Sequence, residues 1–182
     1  MSAAMPTASS NIVQLRPQAA PAVSVPPTVT RRLECWSDSL RDEPAISLPD
    51  LPHDLVEALP QAIEEAQAAL VPSNPGEVLA ALTTLIARKG FDLPDEFALE
   101  MDCEIIAAWP RDLWRTAFRS VWENFSYRRI PEVADFKKVI AAELEERQAR
   151  LHRLESLRLK LETVRLKRQW DEVSRERRGR AG

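Results

Sequence analysis

Five prolines, Pro60, Pro75, Pro94, Pro110 and Pro131, cut the middle of this chain into segments of helix length. Proline locks φ and lacks a backbone donor, so inside a regular element it disrupts, but at the first helical position it costs nothing. Acidic residues follow most of these prolines within a turn: Glu77, Asp95 and Glu96, Asp112, then Glu132 and Asp135. There they meet the positive end of the helix dipole. Each proline therefore reads as a helix start. No strand-period alternation and no internal repeat appears, so the expected class is all-α, a small helical bundle followed by a long charged C-terminal helix.

Apolar spacing assigns each segment a buried face. A helix over about 54–70, broken in two near Pro60, places Leu55, Leu59, Ile63, Ala66 and Leu70 on one side. The next has Asn74 as N-cap candidate, Pro75 at N1 and Gly90 for a left-handed stop, with Val78, Leu79, Leu82, Leu85 and Ile86 inward. A helix over about 94–108 is expected to bury Phe97, Met101, Ile105 and Ala108. The one over about 110–125 carries Leu113, Trp114, Ala117, Phe118, Val121, Trp122 and Phe125, a stripe wide enough to centre the core. The short Trp109-Pro110 link pairs these two helices antiparallel. The last helix begins near Pro131 with Val133, Phe136, Ile140 and Leu144 inward and runs to about Arg175.

The ends differ in character. Nine of the fourteen prolines fall in the first sixty residues, and Met1 to Thr30 is nearly all Ala, Pro, Ser, Thr, Val and Gln. Such a stretch buries too little apolar surface to offset its chain entropy. Residues 1–48 are thus expected as a disordered Pro/Ala-rich arm, 49–144 as the bundle, and 145–182 as an extended charged helix with a frayed basic end. Residues 147–182 hold twelve Lys/Arg against five Asp/Glu, net +7, leaving −10 for residues 1–146 and −3 in total. An acidic body with a basic tail suits a polyanion or an acidic partner, and it equally describes solvated helices.

Several chemistries lack their residues. The four glycines, Gly76, Gly90, Gly179 and Gly182, form no loop that could cradle a phosphate, so P-loop and Rossmann readings fail. His53 and His152 have no ligand-spaced Cys, Asp or Glu that makes a metal site persuasive. No serine stands in a nucleophile elbow. The row Glu96, Glu100 and Glu104 is expected exposed, whereas acid–base work needs a desolvated carboxylate. No enzyme activity, catalytic residue, metal or cofactor is expected. Arg16 alone among the first thirty residues is basic, and prolines interrupt any apolar run, so neither a secretory signal nor a membrane span is expected. Cys35 and Cys103 lie in unlike segments, which fits a reducing cytoplasm better than a disulfide framework.

What remains are binding features. Arg111, Arg115 and Arg119 recur every four residues, followed by Tyr127, Arg128 and Arg129. Such a line could track a nucleic-acid backbone with Tyr127 stacking on a base. It could instead pair with Glu96, Glu100 and Glu104 on the neighbouring helix. Trp36, with Leu33 and Leu40, forms a short amphipathic stretch that either docks in a partner's groove or folds back on its own domain. Trp170 is an interface anchor, or is buried where two helices pair. Leu154, Leu157, Leu161 and Val164 step by threes and fours, the seam of a short coiled coil through which the chain would form a homodimer. Arg165, Lys167, Arg168, Arg175, Arg177, Arg178 and Arg180 make a basic end interrupted by Asp171, Glu172 and Glu176.

One combination has a counterpart elsewhere. Leu82, Leu85 and Ile86 are followed by an acidic link, Asp92 to Glu96; then come Ile105, Ile106 and Trp109, then Phe118, Val121 and Trp122, and last Arg129-Ile130-Pro131 with Val133, Ala134, Asp135 and Phe136. This span, about Leu79 to Ile140, resembles small helical phage and prophage replication proteins of the bacteriophage helicase loader/inhibitor type. The resemblance implies an ATPase-free loader, a helical domain with a flexible arm that engages a replicative helicase and delivers it to DNA. The alternatives are a nucleic-acid-binding regulator using the arginine row and basic tail, and an assembly protein that self-associates through its C-terminal helix.

Overall fold

The computed structural model describes residues 24–44 and 50–180. Among them are six helices, α1 (Pro27–Ser39), α2 (His53–Ala68), α3 (Pro75–Lys89), α4 (Glu96–Ala107), α5 (Arg111–Asn124) and α6 (Val133–Arg180), and no strand. The expectation of disorder for residues 1–23 lies outside the described residues. No described helix is long and apolar enough to cross a membrane.

Proline sets helix starts even more often than expected. Pro26, Pro52 and Pro110 occupy the N-cap itself, with φ of −55°, −52° and −54° and ψ near 138°. A fixed φ with an extended ψ is the backbone an N-cap needs, so the ring presets the geometry of the helix start, although none of the three makes a side-chain cap hydrogen bond. Pro75 sits at N1 behind Asn74, whose side chain accepts from the Gly76 amide at 2.8 Å, and Gly90 ends α3 at φ 71°. Pro94 and Pro131 stand two residues ahead of their helices. At α4 the capping passes to Asp95, which accepts from the Phe97 and Ala98 amides. Pro60 corrects an expectation: it lies inside one continuous α2 rather than dividing it. The carbonyl left without a donor belongs to Val56, a residue on the exposed side of the helix.

The six helices build two cores strung on α6. Val78, Leu82 and Leu85 of α3, Cys103, Ile106 and Ala107 of α4, and Leu113, Trp114, Ala117 and Val121 of α5 close on Phe136, Ile140 and Leu144 of α6. Farther along α6, Leu154 and Leu157 pack with Leu55, Leu59, Ala62, Ile63 and Ala66 of α2 and with Leu33 of α1. The α2–α3 link is pinned to the α4–α5 turn by the Ser73 amide and hydroxyl, both donating to the Trp109 carbonyl, and by an isolated bridge between Pro72 and Pro110.

Three expectations change here. The 1–48 arm contains α1, whose Leu33 is fully buried and Leu40 nearly so, with Trp36 half-buried beside them. The Trp36–Leu40 stretch thus folds back on its own domain and is not free for a partner. Averaging composition over the arm concealed an amphipathic unit that starts at Pro26-Pro27. The part of α6 beyond 144 is not a free extension, because it carries Leu154 and Leu157 into a second core. On α4 the buried face is Cys103, Ile106 and Ala107, while Phe97 (70% exposed), Met101, Ile105 and Ala108 face out, as does Leu79 on α3. The helix carries two apolar faces, and periodicity cannot choose between them.

Arg147 fastens the two cores where they meet. Its guanidinium donates to the Ala69 carbonyl at the end of α2 (3.0 Å), to both carboxylate oxygens of Asp112 at the start of α5 (3.1 and 2.8 Å), and to Glu143 one turn back. The Arg147 hydrogen bonds hold the Asp112 carboxyl below its ordinary value of 3.8. A depressed carboxyl contributes stability above its unfolded-state value and loses it as pH falls through the folded-state one. Arg147→Met is therefore expected to lower unfolding free energy by about 1.5–3 kcal/mol at pH 7, Asp112 being well exposed and its share small. Urea titrations should show the Asp112 part of that difference vanishing as pH falls below the ordinary carboxylate range.

Candidate partner-binding groove

The helix α5 places Trp114, Phe118 and Trp122 four residues apart, one above another on a single face. Ring centroids lie 5.3 Å apart for Trp114–Phe118 and 5.7 Å for Phe118–Trp122, both tilted. Trp114 is buried and braced from behind by Phe136 at 5.4 Å. Phe118 and Trp122 are half-buried and turn one side outward. Opposite them α3 presents only small side chains, Ala80, Ala81 and Thr84, and the Thr84 hydroxyl is spent on the Ala80 carbonyl at 2.7 Å. A wall of rings facing a wall of methyl groups leaves a groove of about 680 Å³ between the helices.

Polar pairs hold its two ends. At the start of both helices, Glu77 accepts from Arg111 (Nη2 2.9 Å) and from Arg115 (Nη2 2.6 Å). Hydrogen bonds from Arg115, then Arg111, hold the Glu77 carboxyl below the usual range. At the far end the Arg88 guanidinium lies 5.1 Å over the Trp122 ring. Glu77 to Arg88 is about 16 Å of helix axis. The residues that line the groove, Glu77 to Thr84 on α3 and Trp114 to Trp122 on α5, span about two turns of helix.

The expected contact row is divided. Arg111 and Arg115 are engaged with Glu77, and Arg119 lines the groove without an ion pair among the described residues. Arg128 is exposed and unpaired among those residues. Arg129 chelates Asp135 (2.7 and 3.0 Å) and lies over the Phe125 and Tyr127 rings. Tyr127 is exposed and packs edge-on against Phe125. The pairing expected with Glu96, Glu100 and Glu104 does not form: those residues join no ion pair among the described residues, and Arg111 and Arg115 pair with Glu77 on α3. A first-turn glutamate reads as a dipole partner, and nothing local shows that two arginines reach it.

The other candidates are scattered. Leu154 and Leu157 are buried, and Leu161 and Val164 pack beside them against α1 and α2, so this seam is used within the chain. Trp170 is 71% exposed on the free part of α6. Among the described residues no group of three or more His, Cys, Asp or Glu is placed to hold a metal ion. Ala80, Ala81, Thr84 and Arg88 were not singled out in the sequence; a run of small residues beside the arginine-ended α3 stripe was the available sign. Comparison with protein-family models, with curated proteins and with solved structures gives no match.

Proposed function

We propose that this chain is a non-catalytic adaptor that receives an amphipathic helical segment of a protein partner in the α3–α5 groove. The carrying observation is the pairing of a half-exposed aromatic wall with a small-residue wall across a space about two turns long. Helix-in-groove recognition needs such a slot, with apolar anchors entering at helical spacing. The rim favours an acidic segment. Glu77 is neutralised by its two arginines, while Arg88 and Arg119 remain to meet carboxylates. In the role implied by the likeness to loader-type phage replication proteins, the partner is a replicative helicase. Direct capture of nucleic acid has less support, because Arg111, Arg115 and Arg129 already hold carboxylates.

Ala80→Trp fills the slot from an exposed position without touching the core. The full chain is expected to retain the helicase of its own genome in a pull-down. Ala80→Trp should abolish that retention and Arg119→Glu should weaken it at least tenfold, with circular dichroism unchanged. Retention that survives Ala80→Trp removes the groove from the reading. If the wild type retains no helicase, that partner is removed.

A further inference from the structure

Past Leu157 the helix α6 has two faces, and only one is used. Leu154, Leu157, Leu161 and Val164 point at α1 and α2. On the opposite side stand Leu159 (65% exposed), Leu166 (66%), Trp170 (71%) and Val173 (45%), with exposed Thr163 between the first two. At 100° per residue the centres of the two stripes lie about 180° apart. The outer stripe steps 159, 163, 166, 170, 173, which is an unbroken four–three alternation. Such spacing is the a/d pattern of a two-stranded coiled coil, with Leu159, Leu166 and Val173 at d and Thr163 and Trp170 at a.

We propose that this outer stripe is a self-association seam, occupied by the same stripe of a second copy in a parallel coiled coil. Three observations select that occupant. First, Glu162 and Lys167 fall at g and the following e, the pair that faces across a parallel dimer, so Glu162 of each copy meets Lys167 of the other. An antiparallel pair sets e beside e and brings Lys167 against its own equivalent. Second, the Thr163 hydroxyl already donates to the Leu159 carbonyl at 2.9 Å, so burying it at the seam leaves no donor unsatisfied. Third, α1 and α2 pack on the back of α6, and Lys160 bonds the Leu40, Arg41 and Glu43 carbonyls at the end of α1. The second strand therefore meets a helix already formed and packed along the first part of the seam, so its nucleation cost is already met there. Upstream, His152 and Ser156 end the apolar stripe, and downstream Arg177 does.

Sedimentation equilibrium on the full chain, from about 1 to 200 µM, tests this, because so short a seam implies a dissociation constant on the order of micromolar. A monomer–dimer equilibrium is expected, and Leu166→Asp should abolish dimer at every concentration while leaving far-UV circular dichroism intact, the residue being exposed. Strand direction is read by Val173→Cys on a Cys35→Ser background, since Cys35 is the exposed native thiol and Cys103 is buried. Mild oxidation should give a disulfide-linked homodimer. A chain monomeric throughout, or a dimer indifferent to Leu166→Asp, overturns the seam. Cross-linking only when Leu159→Cys is added to Val173→Cys overturns the parallel arrangement.

Discussion

Trp114→Ala should cost about 3–5 kcal/mol of unfolding free energy, a large share of the roughly 5–15 kcal/mol that holds an ordinary domain folded. Trp114 is 1% exposed and touches both ends of the larger core: Phe118 stands one turn along at 5.3 Å, and Phe136 of α6 lies at 5.4 Å. Removing the indole opens a void bounded by α5 and α6, whose helical backbones have little freedom to collapse into it. Urea denaturation followed by far-UV circular dichroism measures the loss. Trp122→Ala is the control, since that ring is only half-buried; it should cost about 1 kcal/mol. Equal losses from the two substitutions would mean that α5 does not centre the core.

Leu33→Asp should act on the other core and stop there. Leu33 is fully buried between α1, α2 and α6, so a carboxylate there must shed its water or lever α1 away. The second outcome is cheaper, because α1 is joined to the rest by one link and leaves as a unit. The links lost with it include the Val25 amide to Glu65 (2.7 Å), Arg32 to Asp54 (2.5 Å), Arg150 to Glu34 (3.0 Å) and the Lys160 cap. Detachment is expected to cost about 3–5 kcal/mol locally. Hydrogen exchange should show amides of residues 27–40 exchanging at the rate of an unstructured chain while those of α3, α4 and α5 keep their protection. Loss of protection everywhere would join the two cores into one cooperative unit.

Local chemistry made part of this architecture legible in the sequence. Asn74, Pro75 and Gly90 delimit α3 by cap, ring and left-handed turn, all readable within a few residues. The α5 stripe was equally plain, its apolar residues occupying one arc of the helix. Reading failed where a helix offers two choices of equal local merit. Phe97, Met101 and Ile105 together are larger than Cys103, Ile106 and Ala107, yet the smaller set faces inward, in contact with the α3 and α5 residues of the core. α6 likewise carries two stripes, of which the sequence points to the inner one, and contacts from α1 and α2, distant in sequence, bury it. The groove was the least legible feature. Its rings were visible as core candidates, but a space depends on what stands opposite, and Ala80, Ala81 and Thr84 carry no signal alone.

A helix shared by two cores also makes the chain count its residues. Between Leu144 and Leu154 every position turns the two halves of the molecule about 100° and moves them about 1.5 Å relative to each other. One added or deleted residue there would aim the second core's side chains away from α1 and α2, whereas seven or eleven would restore the aim to within about 20°. Spacing along this stretch is thus admissible only in steps, and substitutions will be tolerated where single insertions are not.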